Sequence, residues 1–154
     1  MQPYYRIEDV LLGETNDGAA YLERRARELL AQLGIEPTED PKSGISPVEL
    51  AATVVRTLDL PEIQKLRPRL LPELPIFGHQ DAGESEILIS GIADAVALDD
   101  VGGTEAVVDW KSDVDASPRM IEHYRRQIVD YRKRTGAKRA LIVMMTSGKT
   151  VEVA

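Results

Sequence analysis

The sequence predicts an α/β domain with a central mixed β-sheet flanked by helices and a helical N-terminal part. Three observations predict it. Apolar residues recur at helical spacing through the first sixty positions, β-branched apolar runs separated by turn signals dominate from residue 71 onward, and one long amphipathic segment, Pro118 to Thr135, interrupts those runs. The 154 residues amount to about one ordinary domain, read as a single unit 1–154 in which residues 1–60 are helical and residues 71–154 form a β-β-β-α-β-β core. The chain has no cysteine, which excludes disulfide scaffolds and thiolate metal sites.

Each element has its local cause. Ile7, Val10 and Leu11 share one helical face, and Gly13 to Gly18 is a turn. Ala19 to Leu33 carries Tyr21, Leu22, Leu29, Leu30 and Leu33 at helical spacing, with Gly34 in the C-terminal capping position. Two prolines and three acids make Glu36 to Gly44 a loop. Ser46-Pro47-Val48-Glu49 then supplies an N-cap, a first-turn proline and an acid for a helix to about Leu58. Pro61 to Pro75 is a proline-marked connector, at whose end Glu73 to Phe77 forms a short strand. Glu86 to Leu98 and Glu105 to Trp110 are strands, and Asp99-Asp100-Val101-Gly102-Gly103 is the hairpin turn between them. Ser117-Pro118 opens a helix that Gly136 closes. Arg139 to Thr146 is so continuously apolar that both its faces are expected to be buried, and Ser147-Gly148 turns into a last strand, Thr150 to Val153.

The longest apolar run, Ala140 to Met145, is far short of the ~20 residues that cross a bilayer, and the first residues do not resemble a leader. A soluble, cytoplasmic protein without a membrane partner is expected. The net charge of −7 argues against nucleic acid at first sight. The charge is unevenly spread, however. Pro118 to Arg139 holds eight basic residues and two acids, a local net of +6, against −13 for the rest of the chain.

The residues suited to chemistry lie on the two central strands. Asp94 follows Ile87, Leu88, Ile89 and Ile92, and Asp109 follows Val107 and Val108, so both acids end stretches expected to be core, where an unpaired carboxylate is costly. Period-two alternation puts Asp109 and Lys111 on one face of their strand and Trp110 on the other. A tight hairpin brings Asp94 level with Asp109. Two carboxylates and an ammonium then converge, a donor set that suits Mg²⁺ together with waters and phosphate oxygens. Tyr124, Gln127 and Tyr131 lie three and four apart on one helical face, which by itself reads first as a packed aromatic face with a Gln satisfied in the core, while Arg125, Arg126, Arg132 and Arg134 beside it also suit a nucleic-acid path.

Gly91-x-x-Asp94, then Val108-Asp109-Trp110-Lys111-Ser112-Asp113, then Tyr124-x-x-Gln127-x-x-x-Tyr131 together resemble the RecB-type nuclease domain of the PD-(D/E)XK superfamily, which occurs at the C-terminus of many bacterial ATP-dependent helicase–nucleases. The resemblance covers Leu71 to Ala154. It implies a restriction-endonuclease-like core and a Mg²⁺- or Mn²⁺-dependent deoxyribonuclease module, exonucleolytic in type, acting in DNA repair or recombination beside a helicase region. It further implies Asp94 and Asp109 as metal ligands, the Trp110 carbonyl as a further ligand, Lys111 as the catalytic lysine, and Gln127 and Tyr131 toward the active site and the DNA strand; Tyr124, Arg125 and Arg126 are DNA-binding candidates from the helix face itself. Glu73 matches an acid that precedes the first strand of such domains.

The family also places a His in its first helix as an additional metal ligand, and the corresponding position falls near Tyr4. Either the chain is the C-terminal fragment of a larger helicase–nuclease or that ligand is lost, which makes a nuclease-like domain that binds DNA or a helicase without cutting the alternative. His79 and His123, the two histidines present, are expected in surface or structural roles. Ser147-Gly148-Lys149-Thr150 is not a phosphate loop, because it joins two strands and lacks the preceding glycine. Asp81, Glu84 and Glu86 lack calcium-site spacing and read as a solvated loop.

Overall fold

A computed structural model describes residues 7–11, 18–82 and 85–154, with the side chains of 8–9 and 78–90 outside the described set. The expected turn at Gly13 to Gly18 lies, except for Gly18, outside the described residues, as does the position near Tyr4; the side chains of Asp81, Glu84, Glu86 and His79 do so too.

Short helix α1 (Ile7–Leu11) is followed by α2 (Ala19–Gln32) and α3 (Pro47–Leu58). Gly34 closes α2 at φ 66°, the left-handed conformation that glycine adopts without a Cβ penalty. At the start of α3, Ser46 Oγ accepts the Glu49 N–H at 3.4 Å. The segment expected to be a connector is folded. Pro61 starts helix α4 (Pro61–Leu66), a 3₁₀ turn covers Arg67–Arg69, and strand β1 begins at Leu70. Proline at the first helical position loses no hydrogen bond, so Pro61 marks a beginning and not a break.

Strand β1 (Leu70–Ala82) pairs antiparallel with β2 (Ser85–Leu98), β2 with β3 (Thr104–Lys111), and β3 runs parallel to β4 (Arg139–Met144) after the crossover helix α5 (Pro118–Thr135). Strand β5 (Lys149–Val153) completes a mixed sheet of order β1-β2-β3-β4-β5. The fold is therefore the expected α/β domain with a helical N-terminal part, compatible with a restriction-endonuclease-like core. β1 is much longer than the short strand expected at Glu73 to Phe77. Pro72 and Pro75 lie inside it because β1 is an edge strand, where a missing N–H costs no ladder bond.

Helices cover both faces of the sheet. On one face Ile7, Leu22, Val54, Leu58, Ile63 and Leu66 pack against Ala95, Ala97, Ala106, Val108, Trp110, Leu141 and Val143. On the other, α5 packs through Ile128, Tyr124 and Tyr131 against Ile76, Ala93, Val96, Val107, Ile142 and Met144. Residues of β3 and β4 go alternately to one core or the other, so β4 is buried on both sides as its composition predicted. Ile92 departs from expectation. It is 61 % exposed, on a stretch of β2 that pairs only with β1.

Candidate active site

The site forms where β2 and β3 part. Their ladder runs from Leu98 opposite Thr104 to Ala95 opposite Val108, and the next positions in register are Asp94 and Asp109. Instead of a ladder bond there, the Trp110 N–H donates to Asp94 Oδ2 at 2.8 Å. A side chain has replaced the backbone partner. Alternation along β2 slips at the same point, since Ala93 and Val96 both face α5 while Ala95 and Ala97 face the other core. Across the sheet, Glu73 stands opposite Asp94 between the pairs Pro72–Ala95 and Leu74–Ala93, with its backbone at φ 52°. A non-glycine residue in that region costs on the order of 1–3 kcal/mol and marks an irregularity that the surrounding structure enforces. The slip carries the Asp94 carboxylate to the open edge of β3.

Asp109 is 3 % exposed on the α5 face. Its Oδ1 accepts a hydrogen bond from Lys111 Nζ at 3.0 Å, and Nζ lies 2.8 Å from Oδ2. Oδ2 itself accepts no hydrogen bond among the described residues. Burial pushes the Asp109 carboxyl up to about 7, the adjacent Asp94 carboxylate pushes the same way, and Lys111 opposes both. Lys111 Nζ also lies 3.5 Å from Gln127 Oε1, the outer limit of a hydrogen bond, and 4.5 Å from the centre of the Tyr124 ring. Asp94, Asp109, Lys111, Gln127 and Tyr124 are thus brought together from β2, β3 and α5.

Helix α5 reaches this point in register because its start is capped: Ser117 Oγ accepts the Met120 N–H at 3.3 Å and Pro118 follows. Tyr131, two turns further on from Tyr124, covers Gly91. A Cβ on Gly91 would lie 3.1 Å from Tyr131 Cε1 and 3.3 Å from its hydroxyl oxygen. The glycine of the first motif and the tyrosine of the third are therefore one packing unit. The Tyr124 hydroxyl donates to Asp113 Oδ2 at 2.8 Å, and burial, reinforced by the Asp113 carboxylate, pushes the phenol up to about 12. Asp113 closes the second motif of the sequence but carries no predicted role there.

Other candidate side chains are exposed, turned into the opposite core or paired elsewhere. Glu73 is exposed, and no group of three or more His, Asp or Glu side chains converges among the described residues. Trp110 points its ring into the opposite core, 1 % exposed, and its indole N–H has no partner among the described residues. His123 is exposed beside the edge of Tyr124. The basic segment is largely occupied by partners in the fold. Arg126 pairs with Glu122, Arg134 with Asp130, Lys138 with Asp99, and Arg139 with both Glu62 and Glu152, while Arg132 donates to the Ala137 carbonyl. Arg125 is exposed, two residues from Gln127 and so roughly 200° around the helix from it.

Asp94 and Asp109 offer hard oxygen donors, the Asp109 Oδ2 buried with the Lys111 ammonium beside it, and this donor set fits a small divalent cation such as Mg²⁺ or Mn²⁺ that completes its shell with water. A cation there would also remove the electrostatic penalty that holds Asp109 partly protonated at neutral pH.

Among the described residues no helix is long and apolar enough to cross a membrane. No protein-family model matches the sequence, and no curated protein matches it. The chain is similar to a crystal structure of a protein named SSO0001, with 18 % identity and a TM-score of 0.49 over 95 % of this chain. It spans only 64 % of that protein's length, and a likeness of this degree carries neither family nor activity.

Proposed function

We propose that the chain is a metal-dependent nuclease module that hydrolyses phosphodiester bonds in DNA. One observation carries the reading: at the parting of β2 and β3, Asp94 and Asp109 stand level with each other, and Lys111 is held beside them by Asp109, Gln127 and Tyr124. Two carboxylates and an ammonium on one face suit a phosphodiester, whose negative charge grows as a nucleophile adds.

In this reading Asp94 and Asp109 would hold Mg²⁺ or Mn²⁺, whose chemistry when bound would be Lewis-acid polarisation of the scissile phosphate and a lowered pKa of water. Asp94 is fixed for that task by the Trp110 N–H. Lys111 offsets charge developing on the phosphate, and Gln127 orients its ammonium from α5. The Trp110 carbonyl is a further candidate ligand. Exposed Arg119, Arg125 and Lys133 provide the long-range attraction for the DNA backbone. A helicase region in the same or a partner chain, and a place in repair or recombination, belong to the same proposal and rest on the motif resemblance.

Incubation with linear single- and double-stranded DNA plus Mg²⁺ or Mn²⁺ tests it. Cleavage is expected, falling by roughly 10²–10³ in Lys111→Ala, the scale of losing one preorganised electrostatic group, and to background in Asp109→Ala. DNA binding without any cleavage sinks the enzyme reading. It would favour instead a nuclease-like domain that binds DNA or a helicase partner without cutting, a reading to which the two-carboxylate donor set among the described residues also lends itself.

A further inference from the structure

We infer that Tyr124 is a positioning residue for Lys111, gripping its ammonium on the ring face and being gripped in turn by Asp113. The inference rests on Lys111 being the site's working cation. A lysine ends in a point charge on a flexible four-carbon stem, so its location is only as defined as its partners make it. Lys111 Nζ has Asp109 on one side, Gln127 Oε1 at 3.5 Å, and the Tyr124 ring centre at 4.5 Å, within the range of a cation–π contact. The ring cannot pivot freely, because its hydroxyl donates to Asp113 Oδ2 at 2.8 Å.

Asp113 follows Lys111 by two residues on the same chain segment. The contacts therefore close a circuit from the end of β3 across to α5 and back to the segment leaving β3. The Thr146 hydroxyl steadies that segment by donating to the Ser112 carbonyl at 2.9 Å. One face of Tyr124 lies against the ammonium, so that face is not open to a nucleic-acid base.

The test compares Tyr124→Phe, Tyr124→Leu and Asp113→Asn in the full chain by two readouts. The first is acetylation of Lys111 under limiting reagent, measured by peptide mass spectrometry relative to exposed Lys149. Tyr124→Leu is expected to raise that ratio about tenfold, the order of a partly desolvated cation–π contact, while Tyr124→Phe, which keeps the ring but loses the hydroxyl that Asp113 holds, raises it less. Asp113→Asn, nearly isosteric, raises the ratio less than Tyr124→Leu does and keeps the question answerable if the leucine variant does not fold. An unchanged ratio in a folded Tyr124→Leu protein, or in Asp113→Asn when only that variant folds, overturns the inference. The second readout is DNA cleavage with Mn²⁺, where Tyr124→Leu should lower kcat with KM unchanged and Tyr124→Phe should recover most of it. A raised KM with unchanged kcat would make Tyr124 a substrate-stacking residue and overturn the positioning role. If the wild-type chain does not cleave at all, the nuclease reading falls, and the acetylation ratio alone still decides whether Tyr124 holds Lys111.

Discussion

The two faces of strand β3 do opposite things with adjacent residues. Trp110 fills the closed core under α1, α3 and α4, whereas Asp109 and Lys111 on either side of it face α5, where the sheet opens at the β2–β3 parting. On one face burial stabilises the fold. On the other it holds charges in a place that water would otherwise screen. The α5 face tolerates this because its apolar packing, through Ile128, Val107 and Ile142, continues directly beneath the charged cluster.

The largest separation of the two faces should come from Trp110→Ala. Emptying a fully buried indole is expected to cost about 3–5 kcal/mol, read as a lower chemical-denaturation midpoint with an unchanged m-value. Loss of less than about 1 kcal/mol would show that the ring is not part of that core.

Next comes pH. The folded state holds the Asp109 proton up to about 7, against an ordinary value of 3.8, so this group contributes stability that is complete below about pH 4 and is lost as pH rises through 7. Asparagine stays neutral throughout. The melting temperature of Asp109→Asn relative to wild type, in metal-free buffer, should therefore rise between about pH 5 and pH 8. Added Mg²⁺ at the upper end of that range should stabilise the wild type and not the variant. A flat difference across that range would mean that burial does not hold the proton on Asp109.

Gly91→Ala probes the packing unit on the α5 side. The new methyl would press on the Tyr131 ring at 3.1 Å, a clash expected to cost about 1–3 kcal/mol by thermal melt and to be relieved in combination with Tyr131→Leu. Additive losses would show that the two residues do not touch. The smallest effect belongs to the outer surface of α5. Arg125→Ala should weaken DNA binding mainly at low salt, reducing the salt slope by about 1 if it contacts a phosphate, with melting temperature unchanged.

Much of this was written locally. The order β-β-β-α-β-β, the Ser117 cap, the Gly136 stop and the Asp99 to Gly103 turn all follow from neighbours within a few positions, and the structure has each of them. Period two alone placed Asp109 with Lys111 and away from Trp110, and the hairpin register put Asp94 level with Asp109. Proline was harder to read, because its meaning depends on whether it begins a helix, as Pro61 does, or lies on a sheet edge, as Pro72 and Pro75 do. Charge was hardest. The +6 of Pro118 to Arg139 looked like a free basic surface, yet Lys138 pairs with Asp99 and Arg139 with Glu62, partners 39 and 77 positions away.

Periodicity, caps and turns could thus be read from the chain alone, because they depend on backbone geometry and on contacts between near neighbours. Which charges are taken up in ion pairs, how closely Tyr131 covers Gly91, and that Tyr124 closes on Lys111 were settled by the folded arrangement. Those outcomes depend on which distant groups meet and how much water they lose when they do, and no local pattern carries that information.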